Sequence, residues 1–388
     1  MEVGQIGRGL VHHLLATYSG EDQIVGNLPP LELIEAVAFS HDLGHPPFGH
    51  GGETALNYMM REHGGFEGNG QALRLLSRLE PHREGFGLDL TRRTLLGILK
   101  YPVAYERLCR TGADPNPTNH RLVNRDAWKP PKCYLGTEVE IVDWLLDPLS
   151  KEDRERFMEL RKPPTQDEHG STKYKALDTS MMELADDIAY GVHDLEDGIV
   201  LGLIARDHLE KVKDALDPTW ATSCELPTFE TLADQLFWNP MVDEAEMDQS
   251  RKMAVGGIVN ALVTSASVAP SGGFREPLLS LNVVLADPAK RFLQALKELT
   301  NVHIIQLQAV QSLEYRGRMM VMDLFEGLSS DPRRLLTPDF VVPYESAPDA
   351  AARSRVVCDY VAGMTDSYAI RMYNRLFTPG HGNVFERL

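Results

Sequence analysis

Between Phe39 and Glu53 the chain reads FSHDLGHPPFGHGGE, which places His41, Asp42, His45, His50 and Glu53 within thirteen residues. Imidazoles and carboxylates hold divalent metals and exchange protons near neutral pH. His41 and Asp42 are adjacent at the end of an apolar helix expected to start near Leu31, so both can project into one cavity as metal ligands. His45 falls one helical turn beyond His41. Gly44, Pro46, Pro47, Gly49, Gly51 and Gly52 then interrupt regular helix, and the tight loop they predict would hold His50 and Glu53 over the cavity. A lone histidine reads most simply as a solvated loop residue, but a cluster of this density points to a site.

A second set of chemical groups lies in MMELADDIAYGVHDLED, from Met181 to Asp197. Asp186, Tyr190 and Asp194 stand at i, i+4 and i+8 and therefore share one helix face. The apolar Leu184, Ile188, Val192 and Leu195 beside them predict a helix that closes a core while turning its polar stripe to a cavity. Taken alone, the stripe reads as a solvated acidic face.

The elements that must position these groups are mainly helical. Apolar residues recur at helical spacing in LELIEAVAFSHDLGH, ALRLLSRL, TEVEIVDWLLDPL, MMELADDIAYGVHDLEDGIVLGLI and RFLQALKELTNVHIIQLQAVQSL, and alternating strand-like runs are few. Arg110 to Cys133 reads as a long irregular insertion and Lys162 to Tyr174 as a polar loop. The Pro and Gly cluster from Ala269 to Pro277 and the segment from Thr337 to Ala352 separate later helical blocks without a change in charge character or an internal repeat. The expected architecture is all-α: one helical domain over residues 1–388, with insertions near 110–136 and 162–174.

Composition narrows the function classes. A chain of 388 residues with 43% hydrophobic residues has ample material for a core. Its 39 basic against 56 acidic side chains give a net charge of −17, which argues against a broad electrostatic grip on nucleic acid or anionic membrane. An anionic substrate would need a metal ion and a few basic side chains to reverse that field locally. Cys109, Cys133, Cys224 and Cys358 contain no C-x-x-C pair, so neither a zinc knuckle nor a disulfide framework is indicated and a reducing cytoplasm is expected. The N-terminal stretch lacks the features of a signal peptide, and no apolar run approaches membrane-spanning length.

HDLGHPPFGHGGE as a whole resembles the signature of the deoxyguanosine triphosphate triphosphohydrolases within the HD superfamily. FEGNGQALRLL from Phe66, LLGILKYP from Leu95, the ELADDIAY stretch and VAGMTDSYAIRMY from Val361 extend the resemblance over nearly the whole chain. It implies an HD-type helical phosphohydrolase with one divalent metal ion, magnesium, manganese or similar. The implied reaction converts a deoxynucleoside triphosphate, dGTP or several dNTPs, and water into the deoxynucleoside and inorganic triphosphate.

The resemblance also assigns roles. His41, Asp42 and Asp186 match family metal ligands, with Asp187 as the fallback for Asp186, and Tyr190 and Asp194 match residues that contact phosphate and sugar. His50 is the candidate proton donor with Glu53 orienting it, since a carboxylate partner raises the basicity of an imidazole. His45 is expected on phosphate, Lys173 or Lys175 in TKYKALD offers charge for the triphosphate, and Arg371 reads as a surface residue.

Family members carry a stretch like THSMEV before QIGR, whose histidine is the first of four protein ligands to the metal. This chain begins MEVGQIGR, so the expectation is an internal methionine at Met1 and a true start upstream. His12 and His13 lie about three helical turns from the missing position and read as surface or packing residues. The competing readings are a nucleotide-binding HD protein with little or no turnover and an HD phosphohydrolase of other nucleotides. Family members commonly form hexamers, so a homo-oligomer is expected, and some respond to single-stranded DNA or to a nucleotide effector.

Overall fold

The computed structural model describes residues 1–83, 85–112, 123–237 and 243–381. It is all-α: helices dominate, and among the described residues the strands form two small antiparallel pairs. The chain divides into two compact units, one of residues 1–39 and 175–311, the other of residues 40–174 and 312–388.

The first unit is organised around the Leu177–Val200 helix, which packs against the Glu2–Thr17, Glu244–Thr264 and Asp287–Thr300 helices. Its apolar positions Met181, Ala185, Ile188, Val192 and Leu195 are buried, as are Leu10, Leu14, Ile258 and Phe292 on the neighbouring helices. The 3.6-residue period thus puts one stripe in the core and leaves the Asp186, Tyr190 and Asp194 stripe half-buried. The Pro and Gly cluster after Ala269 proves to be the turn of a hairpin, in which β3 (Ala266–Pro270) pairs antiparallel with β4 (Leu281–Leu285). His13 serves this hairpin, its Nε2 lying 3.1 Å from the Ala266 carbonyl, while His12 is exposed; both fit the packing and surface reading.

The Leu31–Ser40 helix starts where the sequence suggests, directly after Pro29 and Pro30, and buries Ile34 and Val37. Proline disfavours helix in the residue before it but tolerates the first turn, so the boundary is sharp.

The second unit has a hydrophobic core of Leu56, Phe66, Trp128, Val321, Leu324, Phe325, Val357, Val361 and Met372. These come from the His50–Met59, Gln308–Ser330, Ala350–Ala362 and Asp366–Phe377 helices, from the connection that precedes the Gly68–Arg74 helix, which carries Phe66, and from the segment after residue 122. A buried ionic network ties the pieces together. Arg74 reaches Asp359 Oδ2 at 2.7 Å and Glu138 Oε1 at 2.7 Å, and Gln71 donates to Asp359 Oδ1 at 3.0 Å. Removing one partner of such a buried pair costs about 3–5 kcal/mol, because the other charge is left uncompensated.

Two segments differ from the sequence reading, and a third is described in part. Lys162 to Tyr174 is flanked by a short antiparallel pair, β1 (Leu160–Lys162) with β2 (Ser171–Thr172), too short for alternation to register. Thr337 to Ala352 contains a helix, Pro338–Ser346, whose leading proline occupies a position with no intrahelical N–H bond to lose. Of the insertion from Arg110 to Cys133, residues 110–112 and 123–133 are described, and residues 113–122 lie outside the described residues. Its described part delivers a short turn, Asp126–Trp128, whose indole is buried edge-on to Tyr58 with ring centres 4.9 Å apart. No helix among the described residues is long and apolar enough to cross a membrane.

Candidate active site

The segment after the Leu31–Ser40 helix is a run of turns rather than a continuation of helix. It passes so close to the Gly68–Arg74 helix that a Cβ on Gly44 would overlap the backbone of Gly68 and Ala72. Only glycine fits there. Phe48 then adopts φ 64°, a costly conformation for a bulky residue, and Gly49 follows at φ 56°. Two contacts hold the turn: the Phe48 N–H donates to Asp366 Oδ1 at 2.9 Å, and the Phe48 ring fills the space where Gly317 lacks a side chain.

The chain emerges from this turn directly into the His50–Met59 helix, so His50 and Glu53 stand on its first turn rather than in a loop. Gly51 and Gly52, which read as breakers, lie inside the helix. A Cβ on Gly52 would strike the Pro47 carbonyl, so this glycine serves close packing and not flexibility.

His50 is 60% exposed and Glu53 only 2%, a contrast that suits a proton carrier open to exchange and a fixed partner beneath it. His50 Nδ1–H donates to Glu53 Oε2 at 3.0 Å. Glu53 Oε1 accepts the Gly68 N–H at 3.0 Å and the Lys132 ammonium at 3.2 Å. Burial opposes ionisation of Glu53 most strongly, but His50, Lys132 and the Gly68 amide together outweigh it and hold the carboxyl well below the usual range. The N-terminal end of the helix dipole acts in the same direction.

Lys132 also donates to Glu67 Oε1 at 2.9 Å. Glu67 is fully buried at the N-terminus of the Gly68–Arg74 helix, where its Oε2 accepts the Gly70 N–H at 2.9 Å as a cap. Burial, more than Lys132 can offset, pushes the Glu67 carboxyl above its ordinary value. Burial alone would lower the Lys132 ammonium, but Glu67 and Glu53 reverse this and raise it. Sequence reasoning missed both residues. Glu67 lay in the quoted FEGNGQALRLL phrase, where a carboxylate ahead of a helix start was the available signal.

His41 is buried and Asp42 exposed, and His41 Nε2 lies 3.1 Å from Asp42 Oδ2. Desolvation raises the Asp42 carboxyl, yet His41 and His45 more than offset it and the net shift is downward. His45 Nδ1 lies 3.3 Å from Asp42 Oδ1, and the His45 ring stands edge-on to His50 with centres 6.0 Å apart. The ligand atoms of His45, His50 and Glu53 gather within 4.8 Å of one another.

In the other unit, Asp186, Tyr190 and Asp194 keep the common helix face inferred from their spacing. Burial raises the Tyr190 phenol, and Asp194 adds to it; burial, then Asp197 and Glu2, raise the Asp194 carboxyl. Asp187, the fallback ligand, is engaged in an ion pair with Lys297. Lys173, which belongs to the second unit, is exposed, with its ammonium 3.0 Å from Glu159 Oε2 and over the Tyr174 ring, so much of its charge is already balanced. Lys175 is ion-paired with Glu183.

Residues 283–375 match the family model described as a phosphohydrolase-associated domain. The chain is 42% identical over 386 residues to a deoxyguanosinetriphosphate triphosphohydrolase-like protein of Aliivibrio fischeri (strain ES114), covering 98% of this chain and 84% of that protein. It is 41% identical over 391 residues to the protein of the same description from Shewanella loihica (strain PV-4), covering 100% of this chain and 85% of the relative. For the one from Vibrio vulnificus (strain YJ016) the identity is 42% over 388 residues, covering 98% of this chain and 84% of the relative.

Proposed function

We propose, on the premise that the chain belongs to the deoxyguanosinetriphosphate triphosphohydrolase-like family, that it hydrolyses deoxynucleoside triphosphates, dGTP or several dNTPs. The products are the deoxynucleoside and intact inorganic triphosphate. The observation that carries this reading is the His50–Glu53 pair: an exposed imidazole hydrogen-bonded through Nδ1 to a buried carboxylate.

In this reaction the bond between the α-phosphorus and the sugar 5′-oxygen breaks, water supplies the new oxygen on phosphorus, and the departing 5′-oxygen takes a proton. His50 delivers that proton. With Nδ1 committed to Glu53, Nε2 is the nitrogen left to carry it, and Glu53 keeps the ring from turning. General acid catalysis of this kind contributes roughly 10²–10⁴-fold.

His41, Asp42 and Asp186 are the proposed ligands of one divalent metal ion. The imidazole nitrogen and carboxylate oxygen of His41 and Asp42, 3.1 Å apart on adjacent residues, are a donor set that suits such an ion. When bound, the ion supplies charge neutralisation at the triphosphate and a more acidic water. His45 contacts phosphate beside His50, Tyr190 and Asp194 contact phosphate and sugar, and Lys173 adds charge by exchanging Glu159 for the triphosphate.

A dNTP is the one partner this reading requires; a homo-oligomer and control by single-stranded DNA or a nucleotide effector accompany it as family properties. The test is to quantify inorganic triphosphate released from each dNTP with manganese or magnesium. Release of pyrophosphate or monophosphate, or none from any dNTP, would overturn the reading.

A further inference from the structure

We propose that Lys132 is a positioning residue for the reaction: it fixes Glu53 from below so that Glu53 can hold the His50 ring. The proposal rests on the reading of His50 as proton donor and adds a residue to which no role has been assigned.

The geometry carries it. Glu53 is buried and satisfies its two oxygens with three donors: His50 on Oε2, and the Gly68 N–H and Lys132 Nζ on Oε1. Of these, Lys132 alone is a side-chain ammonium, reaching across 79 positions of sequence. The same Nζ lies 2.9 Å from Oε1 of fully buried Glu67, so one cation stands between two buried carboxylates. Two carboxylates that share a site cannot both ionise readily, and removing the cation forces a proton onto the pair. Should Glu53 take it, the carboxylate that accepts from His50 Nδ1 is lost and the ring is no longer held in one tautomer. The other groups facing this pair are His50 on the same helix, His45 from the preceding turn, the Gly68 amide, Asn69 on Glu67, and the buried Cys133 thiol beside Lys132.

A purely structural lysine would balance Glu67 and leave Glu53 alone. The two roles separate in kinetics against pH. We expect Lys132→Met to lower kcat on the order of 10–100-fold, the usual cost of losing a group that orients a reacting one, with little change in KM. The acid limb of the kcat profile should move to higher pH, Lys132→Arg should recover most of both, and Glu67→Gln should leave the limb in place or move it lower. Because Lys132→Met strands two carboxylates and can fail to fold, the double variant Lys132→Met with Glu67→Gln removes the stranded charge. Low kcat and a raised limb in the folded double variant support the proposal; wild-type values in it, or in a folded Lys132→Met, overturn it.

A readout independent of turnover keeps this distinct from the reading beneath it. Glu53 can be titrated by ¹³C NMR of glutamate-labelled protein, with Glu53→Gln to assign the signal. Titration at higher pH in Lys132→Met and in the double variant than in wild type, with Lys132→Arg close to wild type, supports the positioning role even if no dNTP releases triphosphate. Identical titration overturns it even if the enzyme is active.

Discussion

The backbone N–H of Phe48 donates to Oδ1 of Asp366 at 2.9 Å, joining the turn before His50 to the first turn of a helix 318 positions later in the chain. The bond holds Phe48 at φ 64°, and the Cα trace of the turn then delivers His50 to a helix start that buries Glu53 beneath it. Backbone cost of this kind, of order 1–3 kcal/mol, persists only when surrounding contacts impose it.

Asp366→Ala should therefore release the turn and lower kcat several-fold without unfolding the second unit, whose core does not depend on this side chain. Hydrogen exchange at the Phe48 amide should speed up in parallel. Unchanged exchange with unchanged kcat would show that the Phe48 ring against Gly317 suffices to hold the turn.

His50→Ala should reduce kcat on the order of a hundredfold or more while metal affinity is largely kept, and Glu53→Gln should resemble it. Turnover at saturating dNTP, alongside metal titration, checks both. An unaltered kcat in His50→Ala would move the proton-donor role to His45, whose ring is 6.0 Å away.

Asp186→Ala should abolish metal binding and turnover, and Asp187→Ala should have the smaller effect. Asp187 already has a partner in Lys297, and a half-exposed pair of that kind is worth only about 0–1 kcal/mol. Isothermal titration of manganese into both variants decides the register: retention by Asp186→Ala with loss in Asp187→Ala would shift the ligand by one position.

What was legible in the sequence follows from what depends on near neighbours. The start of the Leu31–Ser40 helix follows from its apolar period, although the reading carried that helix through His41 and Asp42, which lie in the turns beyond it, and the Asp186, Tyr190 and Asp194 stripe follows from spacing alone. The placement of His50 on a helix was hidden because Gly51 and Gly52 look like breakers, whereas the space around Gly52 is taken by the Pro47 carbonyl. Lys132 was invisible for a different reason: it meets Glu67 across 65 residues, from a segment whose composition signals only a loop. The division into two units crosses at 39/40, inside a helix, and leaves no linker composition to read.

The buried carboxylates make a last prediction, with opposite signs for two neighbours. Glu53 is held below its unfolded value of about 4.3, so the stability it contributes is fully present above that pH and is lost as pH falls through its folded value. Glu67 is raised, so its contribution is present below about pH 4.3 and is lost as pH climbs through its folded value. The difference in melting temperature between wild type and Glu53→Gln should thus stay level from neutral pH to about pH 5 and shrink on further acidification. For Glu67→Gln the variant should lose its relative advantage over wild type as the pH is lowered into the same range. Thermal unfolding of the three proteins from pH 8 down to about pH 3, below the unfolded carboxyl value, measures both slopes. Slopes of the same sign would mean that the two carboxyls titrate as one group through Lys132, and a Glu53→Gln gap that widens on acidification would contradict an ionised Glu53.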